Sequence, residues 1–443
     1  MGTRKADHWQ LRAYLAARVV LQPSMPWILR RRLRQGKEEP ERVGEKFGKS
    51  SITRPDGQLV WIHAVGLGEL LALRPLIRAM HSEDPKLNFL ITSTARSSAR
   101  VIDSNLPPRT IHQFLPLDGP SFVRRFLNHW RPDLSIWSEQ DLWPGAIHDA
   151  DARGTPLAFV NARMSSEAKA RRARLKGLYR AIFDRFALIS AQDEGSAAAI
   201  AALGGTVNAP NCNLKPAAQP LAVDEQALKS FRALLSGRAV WVAASTHADD
   251  EDVVLHAQTL LLAKDPTALL ILVPRSPDRA ADIVAAIEAA GLSYATRSAD
   301  EFPEADTQVY LADSFGELGI WYRLARSAFV GGSFGGLGGH NPWEAICLGV
   351  TVHVGPDTQN FRTDYDTLTG KGLCHRLTPG DAVSNELADA VFNDGDAARI
   401  QLAQDAVEEA RAALTPLARD LVAMVGSPTR SSPPSNSSTD VSG

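Results

Sequence analysis

Twice in this chain an apolar run ends in glycines and enters a run with helical periodicity. The first is Leu59-Val60-Trp61-Ile62 followed by His63-Ala64-Val65-Gly66-Leu67-Gly68-Glu69. The second is Ala328-Phe329-Val330 followed by Gly331-Gly332-Ser333-Phe334-Gly335-Gly336-Leu337-Gly338-Gly339-His340-Asn341-Pro342-Trp343-Glu344. A strand that turns through glycine into a helix presents bare backbone N–H groups at the mouth of a parallel sheet, where α/β proteins bind ligands. Two such mouths some 270 residues apart require two sheets, and 443 residues are enough for two or three domains.

The pattern between them agrees. Strand-like runs at 59–64, 87–92, 110–115, 133–137, 156–160 and 186–190 alternate with helix-like runs at 69–82, 119–130, 143–153, 168–182 and 193–203. The segment 205–225, with Pro210, Pro216 and Pro220, interrupts the alternation. It resumes with strands at 239–244, 268–273, 308–311, 327–330 and 351–354, and helices near 249–263, 278–290, 317–325, 341–348 and 384–392. A last helix near 396–424 should bend or break at Pro416. Such alternation predicts an α/β chain with two doubly wound parallel sheets. The expected division is an N-terminal segment 1–35, a first domain 36–215, a linker 216–235, a second domain 236–426 and a disordered Ser/Pro/Thr-rich tail 427–443.

Composition excludes several classes. Apolar residues make up 44% and charged residues 22%, ordinary for a globular chain, and the formal net charge of −2 gives no global field for nucleic acid or membrane. Cys212, Cys347 and Cys374 have neither metal-ligand nor disulfide spacing. Two local features stand out. Between 161 and 185, eight bases (Arg163, Lys169, Arg171, Arg172, Arg174, Lys176, Arg180 and Arg185) face only Glu167 and Asp184. Near the N-terminus, Leu11, Tyr14, Leu15 and Val19 recur at helical spacing ahead of Pro26-Trp27-Ile28-Leu29 and Arg30, Arg31, Arg32 and Arg34. Either feature suits an anionic, phosphate-bearing surface; either is also compatible with a solvated helix face or a helix packed on its own domain. Tyr179 alone interleaves the basic run, so no stacking platform for nucleic acid is expected.

Candidate chemistry falls at strand ends. Glu69 opens a helix after the first glycine turn, as a general base or a capping acid. Glu139 and Asp141 follow the strand-like Leu134-Ser135-Ile136-Trp137 and precede Pro144, as a reactive pair or as helix-start charges. In the second half, Ser245-Thr246-His247, Pro274-Arg275, Gly316-Glu317-Leu318 and Asn341-Pro342-Trp343-Glu344 lie at four strand ends, with Asn341 placed as an N-cap and Pro342 as the first helical residue. Freed loop amides with Arg275 suit a phosphate, and Glu344 suits a ribose. No Walker lysine pattern is present.

In order along the chain, Trp61-Ile62-His63-Ala64-Val65 with Gly68-Glu69, Glu139 with Asp141-Leu142-Trp143-Pro144, Asn161-Ala162-Arg163, Asn213-Leu214-Lys215, Ala244-Ser245-Thr246-His247, Val273-Pro274-Arg275, Gly316-Glu317-Leu318-Gly319, and Gly331-Gly332-Ser333 with Gly338-Gly339-His340-Asn341-Pro342 and Glu344 resemble the 3-deoxy-D-manno-octulosonic acid (Kdo) transferase family of lipopolysaccharide core synthesis. The resemblance spans about residues 10–420 and implies a GT-B fold, two Rossmann-like domains facing across a cleft. It implies inverting transfer of Kdo from CMP-Kdo to the acylated, phosphorylated disaccharide precursor of lipid A, by an enzyme peripheral to the cytoplasmic face of the bacterial inner membrane. It gives Glu69 the role of base, and Glu139 and Lys215 that of transition-state stabilisers. It puts CMP contacts on Pro274, Arg275, Gly316, Glu317, Leu318, Asn341, Pro342, Trp343 and Glu344. No metal or cofactor is implied: a cytidine monophosphate donor has no pyrophosphate to clamp, and no carboxylate cluster calls for a cation. The chain departs from the family where Gly66-Leu67 replaces a Ser-Val pair, Asp141 a glutamate, Ser276 a histidine and Ala345 a proline. The rival readings are a GT-B transferase for another nucleotide sugar and a non-enzymatic, lipid-binding relic of that fold.

Overall fold

The structure, a computed structural model, describes residues 8–94, 106–217, 220–393 and 397–427, apart from the side chains of residues 67–69, 166 and 397. The chain divides into two units, Met1–Ala217 with Arg411–Gly443, and Ala218–Ala410.

The first unit is built on β1 (Leu59–His63), β2 (Asn88–Ser93), β3 (Thr110–Phe114), β4 (Leu134–Glu139), β5 (Leu157–Ala162) and β6 (Leu188–Ala191). They pair in parallel in the order β3-β2-β1-β4-β5-β6, so the winding direction reverses between β1 and β4. Alternate residues face opposite sides, and both sides are buried. Trp61, Trp137 and Phe159 pack under the helices Pro120–Trp130, Pro144–Ala152 and Lys176–Phe183. Val60, Ile62, Phe89 and Ile136 pack under Leu67–Glu83.

The second unit has seven parallel strands, β7 (Val240–Thr246), β8 (Leu269–Pro274), β9 (Tyr294–Thr296), β10 (Val309–Leu311), β11 (Ser327–Val330), β12 (Thr351–Val354) and β13 (Cys374–Arg376), in the order β13-β12-β11-β7-β8-β10-β9. Its reversal lies between β7 and β11, and its core spans Val242, Ile271, Tyr310 and Val352 on one face and Trp241, Leu270, Leu272 and Phe329 on the other. The two-sheet, doubly wound fold expected from the alternation is present.

Three boundaries differ from the sequence reading. The supposed linker 216–235 contains a helix, Glu225–Leu234, capped by Asp224 and burying Leu228 and Phe231 in the second unit. The supposed last helix is two, Ala397–Ala412 and Leu414–Met424, and the chain from Arg411 belongs to the first unit rather than the second. Leu414, Leu417, Ala418 and Leu421 complete the apolar layer over the first sheet beside Leu67–Glu83, and Arg419 reaches Glu83 at 3.1 Å. The break falls at Ala413, so Pro416 sits within a first turn, where its missing N–H costs nothing. Finally, the described part of the segment 1–35 packs on the first unit, the alternative the sequence left open beside an anionic surface. Its helix Trp9–Leu21 docks on the first unit: Leu11 is fully buried, Tyr14 donates to Asp118 at 2.7 Å, and buried Arg18 pairs with Asp118 and Asp149. Gly145 makes this possible, since a Cβ there would sit on the Arg18 guanidinium, and its N–H donates to Asp118 at 2.8 Å. Burial lifts the Asp118 carboxyl to about 6 against the pull of Arg18, Tyr14 and that N–H. Residues 428–443 of the predicted tail lie outside the described residues.

Candidate functional site

In the first unit the candidate residues gather at the carboxyl ends of β1, β4 and β5, at the reversal of strand order where open α/β sheets form their crevice. Glu139 closes β4 at an irregularity between Ser138 and Glu139, with φ of 59°, and its side chain is buried. Asn161, the last residue but one of β5, lies in the same left-handed region at φ 49° and donates from Nδ2 to Glu139 Oε1 at 2.8 Å. The Asn161 Oδ1 accepts the Leu214 N–H at 3.4 Å, and the Lys215 N–H donates to Asn213 Oδ1 at 3.1 Å. Three motifs 22 to 53 residues apart thus form one hydrogen-bonded chain from Glu139 through Asn161 to the turn that carries Lys215.

Asp141 does not pair with Glu139. Its Oδ2 accepts from His63 Nε2 at 3.2 Å and Trp143 Nε1 at 3.0 Å, which ties the end of β1 to the turn after β4. Burial raises its pKa, but hydrogen bonds from His63 and Trp143 and the charge of nearby Arg172 outweigh it, and the carboxyl stays below its ordinary range. Arg172 is itself spent: it donates to the Gln140 carbonyl at 2.8 Å and lies over the Tyr179 ring at 5.2 Å, so this member of the basic run is structural. Glu69 lies in the first turn of Leu67–Glu83, next to this rim; its side chain lies outside the described residues.

The second unit has its own rim. Pro274 ends β8 buried, and Arg275 follows it exposed, its N–H on the Thr246 carbonyl at 3.0 Å. The Glu344 carboxyl accepts from Asn341 Nδ2 at 3.4 Å; burial raises its pKa, partly offset by Asn341 and the charge of Arg275. The Glu317 carboxylate is held below its ordinary pKa by hydrogen bonds from Arg297, at 2.8 and 3.0 Å, and by Ser314. It fixes the turn 314–318 while Gly316, at φ 91°, stays open to solvent. His247 and His340 meet Nε2 to Nε2 at 3.0 Å, and burial with the charges of His247 and Arg275 depresses His340 to about 4.

Three expectations change here. The helix after the glycine loop is a single turn, Trp343–Ile346, so it carries little macrodipole; Pro342 rather than Asn341 stands at the cap position, and Asn341 Oδ1 accepts the Trp343 N–H at 3.2 Å from one residue further out. The Trp343 indole is buried and donates to Asp364 at 2.7 Å, so that side chain serves the core and only its main chain fronts the rim. The amides at 332–334, expected to be free for a phosphate, are also engaged. Fully buried Asp250 accepts Gly332 N–H at 2.7 Å, Ser333 N–H at 3.2 Å, Phe334 N–H at 3.1 Å and His247 N–H at 2.9 Å. The loop therefore folds around an internal carboxylate. Burial still raises the Asp250 pKa despite those four bonds. Sequence reasoning missed Asp250 because it stands as the third residue of a helix, where an acid reads as a cap.

The family model described as 3-Deoxy-D-manno-octulosonic-acid transferase (kdotransferase) matches residues 41–216. The 3-deoxy-D-manno-octulosonic acid transferase of Rickettsia bellii is 34% identical over 78% of this chain and 82% of its own length. That of Haemophilus influenzae is 34% identical over 72% and 76%. Among solved structures, a putative UDP-N-acetylglucosamine 2-epimerase from Listeria monocytogenes superposes with a TM-score of 0.55 at 12% identity, over 82% of this chain and 98% of that one. At that identity the likeness speaks to the fold alone, and it is of the GT-B class.

Proposed function

The chain belongs to the 3-deoxy-D-manno-octulosonic acid transferase family, and from that premise we propose that it moves Kdo from CMP-Kdo onto the acylated, phosphorylated disaccharide precursor of lipid A with inversion. It is a glycosyltransferase. The observation that carries the assignment of parts is the hydrogen-bonded chain Glu139–Asn161–Leu214, which gathers three separate motifs of the first unit at one sheet rim. Glu69, in the first helical turn beside that rim, takes the proton from the attacking acceptor hydroxyl, a role worth about 100- to 10,000-fold in rate. Glu139 and Lys215 stabilise the charge that develops in the transition state. In the second unit Pro274 and Arg275, the rigid turn Gly316-Glu317-Leu318, and Asn341, Pro342, Glu344 and the Trp343 main chain hold CMP. The departing phosphate monoester gains charge, which Arg275 suits.

An amphiphilic, anionic acceptor calls for a peripheral seat on an anionic membrane, at the cytoplasmic face of the inner membrane. No described helix is long and apolar enough to cross a membrane. Support for the seat comes from Trp9, Val20 and Trp27, which stay 64%, 77% and 65% exposed, and from Arg30, Arg31 and Arg34, exposed on the same helix as Trp27. Gln10 bonds the Arg174 carbonyl at 3.2 Å and the Leu178 N–H at 3.0 Å, which sets this helix beside the basic segment 169–176.

The test is product mass after incubation with CMP-Kdo and lipid A precursor. The expected mass is that of the precursor plus Kdo, formed at least 100-fold more slowly by Glu69→Gln. A Glu69→Gln rate within a few-fold of wild type overturns the base, and transfer from other nucleotide sugars instead overturns the donor.

A further inference from the structure

Near its carboxyl end β5 carries one residue more than either neighbouring strand. It advances from Val160 to Ala162 while β4 advances from Ser138 to Glu139, and from Phe159 to Ala162 while β6 advances from Ile189 to Ala191. Asn161 has no place in the register of either ladder, and its backbone is left-handed at φ 49°. An extra residue of this kind turns one side chain out of the strand's alternation, and asparagine is among the few residues that take the left-handed region readily. A regular residue at this position would complete both ladders without that backbone, so the construction serves the side chain.

Both ends of the side-chain amide are used. A backbone N–H can only donate, so the Asn161 oxygen faces Leu214 N, at 3.4 Å, and the NH2 faces Glu139 Oε1 at 2.8 Å. The orientation of the amide is therefore set by main chain, not by the carboxylate it serves. That main chain is itself anchored: the Cys212 N–H bonds the Ala191 carbonyl of β6 at 2.8 Å, and Asn213 Oδ1 accepts the Lys215 N–H at 3.1 Å. Glu139, Asn161 and Leu214 are all buried, so the amide–carboxylate bond is charge-assisted and little exposed to competing water.

We propose that Asn161 is a positioning residue for transfer, which holds the Glu139 carboxylate in place and ties it to the turn that carries Lys215, so that both stabilisers act from one frame. The inference rests on Glu139 having that stabilising role, and it gives Asn161 no contact with substrate.

The experiment is a double-mutant cycle on the full chain, read as the rate of transfer from CMP-Kdo to lipid A precursor, with CMP affinity measured by calorimetry. Asn161→Asp keeps the size of the side chain and an oxygen for the Leu214 N–H, but sets an oxygen against Glu139 Oε1 in place of the NH2. In the otherwise wild-type chain transfer should fall about tenfold or more, with CMP affinity within about twofold. In the Glu139→Gln chain the amide at 139 can turn its NH2 toward the new carboxylate, so the same substitution should cost less than about threefold. An equal cost in both backgrounds marks a merely structural residue and overturns the proposal, and so does a wild-type rate in Asn161→Asp. Should Asn161→Asp alone fail to fold, the paired variant still decides: it should fold and transfer at the rate of Glu139→Gln, and a paired variant that is unfolded or about tenfold slower overturns the proposal. If Glu139→Gln transfers within a few-fold of wild type, the reading of Glu139 falls instead, and that is visible before any variant at 161 is compared.

Discussion

Asp250→Asn is the most direct probe of how the second unit builds its ligand loop. The two oxygens share the load: Oδ2 takes the N–H groups of His247 at 2.9 Å and Gly332 at 2.7 Å, Oδ1 those of Ser333 at 3.2 Å and Phe334 at 3.1 Å. An asparagine keeps one oxygen and turns an NH2 toward two N–H donors. Two charge-assisted bonds are lost, at roughly 1.5–3 kcal/mol each, or about 3–6 kcal/mol together. Part returns, because burial raises the Asp250 pKa and a neutral amide is spared that desolvation. A net local loss of about 2–4 kcal/mol remains, and at 1.4 kcal/mol per tenfold that is roughly 30- to 1,000-fold in the opening equilibrium of the loop. Hydrogen exchange of a peptide spanning 331–340 reads this directly and does not require the two-unit chain to unfold in one step. Faster exchange by that factor is expected in Asp250→Asn, with weaker CMP binding. Exchange within about threefold of wild type would show that the four contacts do not hold the loop.

Other perturbations follow from the same geometry. Glu139→Gln keeps an oxygen for Asn161 and removes the charge, so transfer should fall about 100-fold or more; a rate within a few-fold refutes the stabilising role. His340 titrates near 4 in the folded chain against an ordinary 6.5, so the unfolded chain takes up the proton first. Stability from this group is therefore full above about 6.5 and is lost as pH falls toward 4, and His340→Gln should flatten that part of the denaturation curve; an identical slope counts against it. Trp9→Ala with Trp27→Ala should weaken salt-sensitive cosedimentation with anionic vesicles several-fold, and equal binding would dismiss the membrane seat. Deleting residues 1–35 is a poor test of the same idea, since it removes buried Leu11 and Arg18 from the first unit.

Continuous apolar runs and glycine turns made most of the two sheets legible, because strands buried on both faces leave a strong signal. What escaped was short or distant. β9 and β13 have three residues each and mix apolar with polar ones, Tyr-Ala-Thr and Cys-His-Arg, whereas the equally short β10 is the apolar Val-Tyr-Leu. The helix Glu225–Leu234 hid behind prolines that belong to the preceding turn. The return of Leu414–Met424 to the first unit depends on which apolar layer it completes, and its own sequence holds no trace of that choice. Motif residues at the candidate site were visible one by one, but the bond from Asn161 to Glu139 spans 22 residues and the bonds from the glycine loop to Asp250 span 82 or more. Periodicity reports what a residue does within its own element, and these residues act between elements.

The same limit explains the strain at the strand ends. Six non-glycine residues among those described have positive φ, and three of them, Glu139, Asn161 and Ser245, sit where β4, β5 and β7 lose regular register. Each left-handed residue costs on the order of 1–2 kcal/mol. In a parallel sheet side chains point to one covered face or the other, and a residue in regular register cannot project along the rim. A bulge with one left-handed residue breaks that alternation at its last position, which brings the Glu139 carboxylate under the Asn161 amide. In the second unit the bulge swings the Ser245 carbonyl so close to β11 that a Cβ on Gly331 would lie 2.5 Å from it. The first glycine of the long loop is thus set by the neighbouring strand, and Ser245 on β7, like Glu139 on β4, lies at the reversal of strand order, with Asn161 one strand beyond it. The irregularities fall where each unit must aim a group out of its sheet, and their cost is borne by strands buried on both faces.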